Sequence, residues 1–313
     1  MAACSERIRV AKGIPVTANE LLALLGRAWS RLLIYPGGLA AFGLIWLFSR
    51  LQNRRAGEPE NHFVEHSGGS WFLVLGSIIL PWLALALLPL PLAVALPRQI
   101  DIVVALALLE WPNVLAIRQD LRIGDMRRLS AALNSYPPLI LAALALAQAG
   151  NSLEIAALAR PPDSLITTST GALHWLGAVA LALALPPALG IGPFAGKRRT
   201  MNDDRRPTTD GDKAFSPSPV PHPPSPSALG LRLRALGLVA LAALPWAGSE
   251  GDGLALLRML GAAALIAGLL WGFDRLTRGQ AARRWAWAYV GLDAALLLAL
   301  LGAAYLALQI RLA

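Results

Sequence analysis

Two carboxylates lie where carboxylates are costly. Glu110 sits inside the run Val103-Val104-Ala105-Leu106-Ala107-Leu108-Leu109-Glu110-Trp111-Pro112, and Asp293 inside Val290-Gly291-Leu292-Asp293-Ala294-Ala295-Leu296. An ionisable side chain within hydrocarbon costs a few kcal/mol on insertion scales, so it is a functional candidate by default. Facing the interior of a helix bundle, either group could take up and release protons, which makes both proton-relay candidates. Glu110 also has a purely structural reading. Trp111-Pro112-Asn113 distorts the helix beside it, and its carboxylate then caps freed amides or meets an arginine. Asp101 and Asp274 stand at the ends of apolar runs. They are lesser candidates for the same role.

Other chemistry is thinly represented. His62, Glu65 and His66 place two histidines at i and i+4, a spacing that can ligate a metal. They sit in a polar stretch beside Gly68 and Gly69 without a third spaced ligand, which reads as a solvated loop. His174, next to Trp175, reads as an interfacial anchor. The single cysteine, Cys4, leaves no internal disulfide and no multi-cysteine iron–sulfur or zinc site. No nucleophile elbow, P-loop or dinucleotide fingerprint occurs in a strand–turn–helix setting.

The elements that would position these residues are apolar spans. Hydrophobic residues make up 56% of the chain and charged residues 15%, below the quarter usual in soluble domains. The runs are continuous in Leu, Ala and Val, which excludes the period-two alternation of a membrane β-barrel. The stretch from about 31 to 49 is long enough at 1.5 Å per residue to cross about 30 Å of hydrocarbon. It stops on Arg50, Arg54 and Arg55. An apolar span closed by arginines fixes a crossing and the side on which it ends.

Counting on from there gives spans at about 71–96 (kinked at Pro81, Pro89 and Pro91), 100–117, 131–149, 172–195, 229–247, 254–273 and 286–310. The expectation is an all-α, polytopic membrane protein with about eight transmembrane helices. Residues 1–28 form an amphipathic N-terminal lead-in, 29–199 carry the first five helices, and 228–313 carry the last three. Between them, 200–227 is rich in proline, serine and charge, with too little apolar surface to offset its ordering entropy, and reads as a disordered inner loop.

Placing the Arg54/Arg55 loop inside gathers the basic loops 50–70, 118–128, 196–234 and 274–285 on one side, with most of the chain's 28 Lys and Arg. The turn Gly248-Ser249-Glu250-Gly251-Asp252, on the other side, is acidic. The expected placement is the cell membrane, multi-pass, with both termini outside and the basic loops cytoplasmic. The formal net charge of +9 belongs to those loops rather than to a nucleic-acid surface. Arg50, Arg54, Arg55, Lys197 and Arg198 either hold helix ends at the head groups or dock a peripheral subunit through charge-assisted contacts.

The order of features resembles the subunit 1 family of respiratory complex I (the NADH-quinone oxidoreductase), and more closely the membrane-arm subunit of formate hydrogenlyase-type energy-converting hydrogenases. Arg50-Leu51-Gln52-Asn53-Arg54-Arg55-Ala56-Gly57 is similar to that family's Arg-Arg-Gly-Pro type loop after the first helix. Asp101 matches an acidic residue at the head of the third helix. Gly150-Asn151-Ser152-Leu153-Glu154-Ile155, Leu244-Pro245-Trp246-Ala247-Gly248 and Gly272-Phe273-Asp274-Arg275 resemble its later connections.

The resemblance covers about 30–313. It implies an integral membrane subunit that anchors a peripheral electron-transfer arm and links it to quinone reduction or proton translocation. Its partners would be the lipid bilayer, a peripheral iron–sulfur or hydrogenase-like subunit and antiporter-like membrane subunits. It implies no cofactor bound by this chain alone, with quinone at an interface with partner subunits. The family's acidic loop after the fifth helix is replaced here by Gly196-Lys197-Arg198-Arg199-Thr200-Met201-Asn202-Asp203-Asp204 and the proline-rich tract, the mark of a degenerate quinone site. The alternative expectation, from another class, is a transporter or a non-redox membrane scaffold.

Overall fold

The structure is a computed structural model that describes Gly26 and residues 29–55, 71–93, 100–122, 126–158, 169–194, 226–247, 253–277 and 280–312. The described residues are helical apart from short turns and one isolated pairing of extended backbone. The long helices are α1 (Gly38–Arg55), α2 (Trp71–Leu87), α3 (Ile102–Arg122), α4 (Arg127–Ala149), α5 (Ser169–Leu183), α6 (Pro226–Ala243), α7 (Gly253–Thr277) and α8 (Ala282–Leu312). Six stretches, beginning in α3 to α8, are long and apolar enough to cross a membrane. In the region of α2 the apolar helix Gly76–Leu87 is shorter than that.

Several expected boundaries move, and proline is the usual reason. The first apolar stretch is divided: a short helix at 29–33 is followed by a turn through Tyr35, Pro36 and Gly37 before α1 begins. The second stretch is not one kinked helix to 96. Pro81 is accommodated inside α2, but the helix stops at Leu87, ahead of Pro89 and Pro91. The fifth is broken at Ala184, where Pro186 and Pro187 start a new turn, Leu185–Ala188, followed by the tight helical turn Gly192–Phe194. Helix α6 already begins at Pro226, inside the tract expected to be a loop. The lead-in at 1–28 apart from Gly26, the His62/Glu65/His66 group and most of 200–227 lie outside the described residues.

The two ends of the bundle differ chemically. At one end α3 finishes and α4 starts, tied by Arg128 Nε to Asp120 Oδ2 at 2.8 Å. The close of α5 and the start of α8 meet there too, with Ala131, Phe194 and Tyr289 buried together. Phe273 of α7 packs edge-on against Trp285 of α8. Arg118, Arg128, Arg275, Arg283 and Arg284 therefore share what we call the arginine end. At the opposite end the Ile102 amide donates to Leu153 (2.9 Å) and the Ile155 amide to Ile100 (3.2 Å), a single antiparallel bridge between Asp101 and Glu154. Trp175 of α5 packs at a tilt against Trp246 after α6, with ring centroids 4.9 Å apart.

Helices α2 to α6 form the interior. Their core is Leu and Ala, including Leu85, Leu109, Leu146, Leu181 and Leu238, all essentially inaccessible. Helices α7 and α8 are peripheral. Only 22% and 11% of their span residues are buried, against 44–61% for the spans of α3 to α6. A helix apolar all round and mostly uncovered belongs in lipid or against another membrane protein, because water would not tolerate that surface.

Candidate functional site

Glu110, near the middle of α3, meets Arg234 of α6. Arg234 Nη2 donates to Glu110 Oε1 at 2.8 Å and Nε to Oε2 at 3.0 Å, a fork-on-fork pair. The two side chains are 12% and 4% accessible, so this is a buried ion pair. The third guanidinium arm is also engaged: Nη1 donates to the Ala188 carbonyl at 2.7 Å. That carbonyl is left without a helical partner where the turn Leu185–Ala188 ends.

The pair continues into α4. Asn113 Nδ2 donates to Glu110 Oε2 at 3.2 Å and to Tyr136 Oη at 3.1 Å. One polar network thus joins α3, α4, α6 and the close of α5 inside an otherwise Leu/Ala core. Buried ions need this degree of satisfaction, since a charge without partners in a low-dielectric interior costs several kcal/mol.

Local sequence explains how the network forms. Pro112 removes one amide from the α3 ladder two residues beyond Glu110, and Asn113 follows it with a side-chain amide. Gly230, Arg234 and Gly237 fall at i, i+4 and i+7 on one face of α6. A methyl group on Gly230 would collide with the Ser77 carbonyl of α2, and one on Gly237 with the Leu109 side chain of α3. The two glycines let α6 close on α2 and α3 on either side of Arg234. Small residues at tight helix crossings are the usual means of close approach in membranes.

The other carboxylates go elsewhere. Asp274 accepts the Gly192 amide at 3.0 Å, and Gly192 adopts a left-handed φ of +66° hard against Thr277. It ties the chain after α5 to the end of α7, away from Glu110. Asp101 is exposed at the end opposite the arginines. Asp293 lies on the flank of α8, and its Oδ1 is enclosed without a hydrogen-bond partner. The structure thus brings none of the other three carboxylates to Glu110. Arg50, Arg54 and Arg55 lie in the last turns of α1, and Lys197 and Arg198 lie outside the described residues.

Four polar residues are missed by sequence reasoning. By sequence Arg234 counts with the basic loop 196–234, which overlaps the expected span 229–247; it lies within the apolar span Leu229–Trp246 and is 3% exposed. An arginine inside an apolar run was the available signal. Asn113 and Tyr136 gave none, since neither is ionised at neutral pH. Arg31, 3% exposed, donates to the Leu88 carbonyl at 3.3 Å and packs the turn before α1 onto the close of α2. His174, read as an interfacial anchor, is buried against its neighbours, edge-on to Trp175 at 5.3 Å, and its Nε2 meets no partner.

No group of three or more His, Cys, Asp or Glu among the described residues could hold a metal ion. Of 194–204, the stretch that the sequence resemblance singles out, only Phe194 is described, and it is buried against Tyr289. No protein-family model matches the chain, and no curated protein matches it significantly.

Proposed function

We propose that this chain is the integral membrane subunit of a complex I-like or hydrogenase-like redox complex. It crosses the cell membrane eight times, with both termini outside and the arginine end cytoplasmic, where it anchors a peripheral electron-transfer arm. Arg50, Arg54, Arg55, Lys197 and Arg198 supply the docking charge on that face. The electron carriers belong to partner subunits, and quinone would bind at an interface with them.

The buried Glu110–Arg234 network carries this reading. Insertion cost alone selects against a carboxylate and a guanidinium inside apolar helices, so their presence marks a function that the bundle keeps at the expense of stability. In the proposed role the pair is a gate. With the pair closed, both Glu110 oxygens are occupied by donors. A movement of α6 relative to α3 opens it and frees Glu110 to take up and release a proton, while Asn113 and Tyr136 hold the carboxylate in place by hydrogen bonds. The position supports this, because Arg234 lies about eight residues, roughly 12 Å, from the start of α6 and so within reach of the arginine end.

The test is the variant Glu110→Gln in sealed vesicles containing the intact complex. Redox-driven proton uptake should fall severely while the complex still assembles. Unchanged uptake in an assembled variant would remove the relay and leave Glu110 as a structural ion.

The second reading is a transporter or non-redox scaffold. The basic, proline-rich tract in place of the acidic quinone loop favours it.

A further inference from the structure

We propose that the open cleft between α4 and α8 seats a transmembrane helix of a partner subunit, and that this helix brings a basic side chain to Asp293. The cleft has a volume of about 630 Å³. Leu144 and Ala147 line it from α4, and Leu297, Leu301 and Ala304 from α8, with Gln148 at its polar end. Asp293 is outside the cleft's lining, one turn from Leu297 along α8 on its mid-membrane side. Counted from the start of α8 it is about 11 residues, roughly 16 Å, along the helix axis.

The occupant follows from the chemistry of Asp293. Its Oδ1 is shut off from solvent and accepts no hydrogen bond. Tyr289, one turn away, has given its hydroxyl to the Leu183 carbonyl at 3.0 Å. The neighbours Leu292, Leu296 and Leu297 supply no donor. An acyl chain has no donor either, so lipid in the cleft would leave the carboxylate as costly as before. A helix carrying Lys, Arg or His pairs the charge through the other carboxylate oxygen, Oδ2, which is not enclosed as Oδ1 is. Ala147 and Ala304 leave room for such a helix to approach closely. Both α8 and α7 keep most of their span residues uncovered, as elements at an assembly face would.

This inference rests on the proposed function only in requiring that the chain works in an assembly. It is tested in native membranes of cells producing the full chain with a photo-crosslinking benzoylphenylalanine at Leu301. The expected adduct is to a transmembrane segment of another protein with a Lys, Arg or His within one turn of the depth of Asp293. In the Asp293→Leu background the adduct should fall roughly tenfold, and Asp293→Glu should restore it.

Thermal melting of each purified variant separates loss of contact from loss of fold. Three results would overturn the proposal: adducts to lipid alone, adducts to a segment without a basic residue, or a yield indifferent to Asp293→Leu in a folded variant. A basic helix from a protein unrelated to redox chemistry would uphold it while removing the redox-complex reading.

Discussion

Glu110 and Arg234 are 124 residues apart in the chain and share two hydrogen bonds across the α3–α6 interface, at 2.8 and 3.0 Å. Each is the other's chief electrostatic partner, so neither can be read alone. A buried pair of this kind is weak evidence of stability but strong evidence of mutual dependence.

The first prediction follows from that dependence. Glu110→Leu and Arg234→Leu should each destabilise the detergent-solubilised protein by about 3–5 kcal/mol, since each leaves an uncompensated buried charge. The double change Glu110→Leu with Arg234→Leu should recover most of the loss. Unfolding titrations of all three variants measure the coupling, and simple additivity would mean that the pair does not form.

Arg234→Lys should not be a conservative change. An ammonium cannot present the fork that Glu110 takes up while also reaching the Ala188 carbonyl. The expected cost is about 1–3 kcal/mol, the size of lost charge-assisted hydrogen bonds. Unfolding midpoints compare it with Arg232→Lys, a control whose side chain is only partly buried.

The glycines flanking Arg234 give a third prediction, on packing. Gly230→Ala places its methyl against the Ser77 carbonyl, which is backbone and cannot turn aside. Gly237→Ala presses on the Leu109 side chain, which can change rotamer. Gly230→Ala should therefore cost more, by about 1–3 kcal/mol, because overpacking against backbone must move a helix. Equal effects would mean that α6 and α2 are less closely approached than described.

How legible this is in sequence depends on the residue. The helical class and most of the spans follow from composition, since a Leu/Ala run with no hydrophilic period has few other solutions. Glu110 stands out because a carboxylate in such a run is anomalous, and one of the two structural readings named for it is an encounter with an arginine. Which arginine could not be read: Arg234 lies in a distant segment, and only the packing of α6 on α3 selects it. The breaks at Leu87 and Ala184 are hidden for another reason. Pro81 is tolerated inside a helix while Pro186 begins a new turn, and the difference lies in what satisfies the freed carbonyls. At Leu183 it is the Tyr289 hydroxyl, contributed by a helix that starts about a hundred residues later.

That contact gives a fourth prediction. Tyr289→Phe keeps the ring packed against Phe194 but removes the donor to the Leu183 carbonyl. A loss of about 1–3 kcal/mol is expected, with helix content unchanged. Unfolding titration and circular dichroism together distinguish this from a general loss of packing.

Topology supplies a fifth, and Cys4 is the only cysteine to be replaced beforehand. Glu154 lies at the end opposite the arginines, and Gln280 lies between α7 and α8 at the arginine end. With a membrane-impermeant maleimide on intact cells, Glu154→Cys should label at once and Gln280→Cys only after permeabilisation. Labelling of both from outside would contradict the proposed crossings.

The most direct test of the central claim is purification of the tagged full chain from its native membrane in mild detergent, with the stoichiometry of co-purifying chains measured by mass spectrometry. The account predicts near-equal amounts of a peripheral iron–sulfur or hydrogenase-like subunit, dissociated by charge reversal of Arg54 and Arg55. Recovery of the chain alone, or with partners that carry no redox centre, would contradict it.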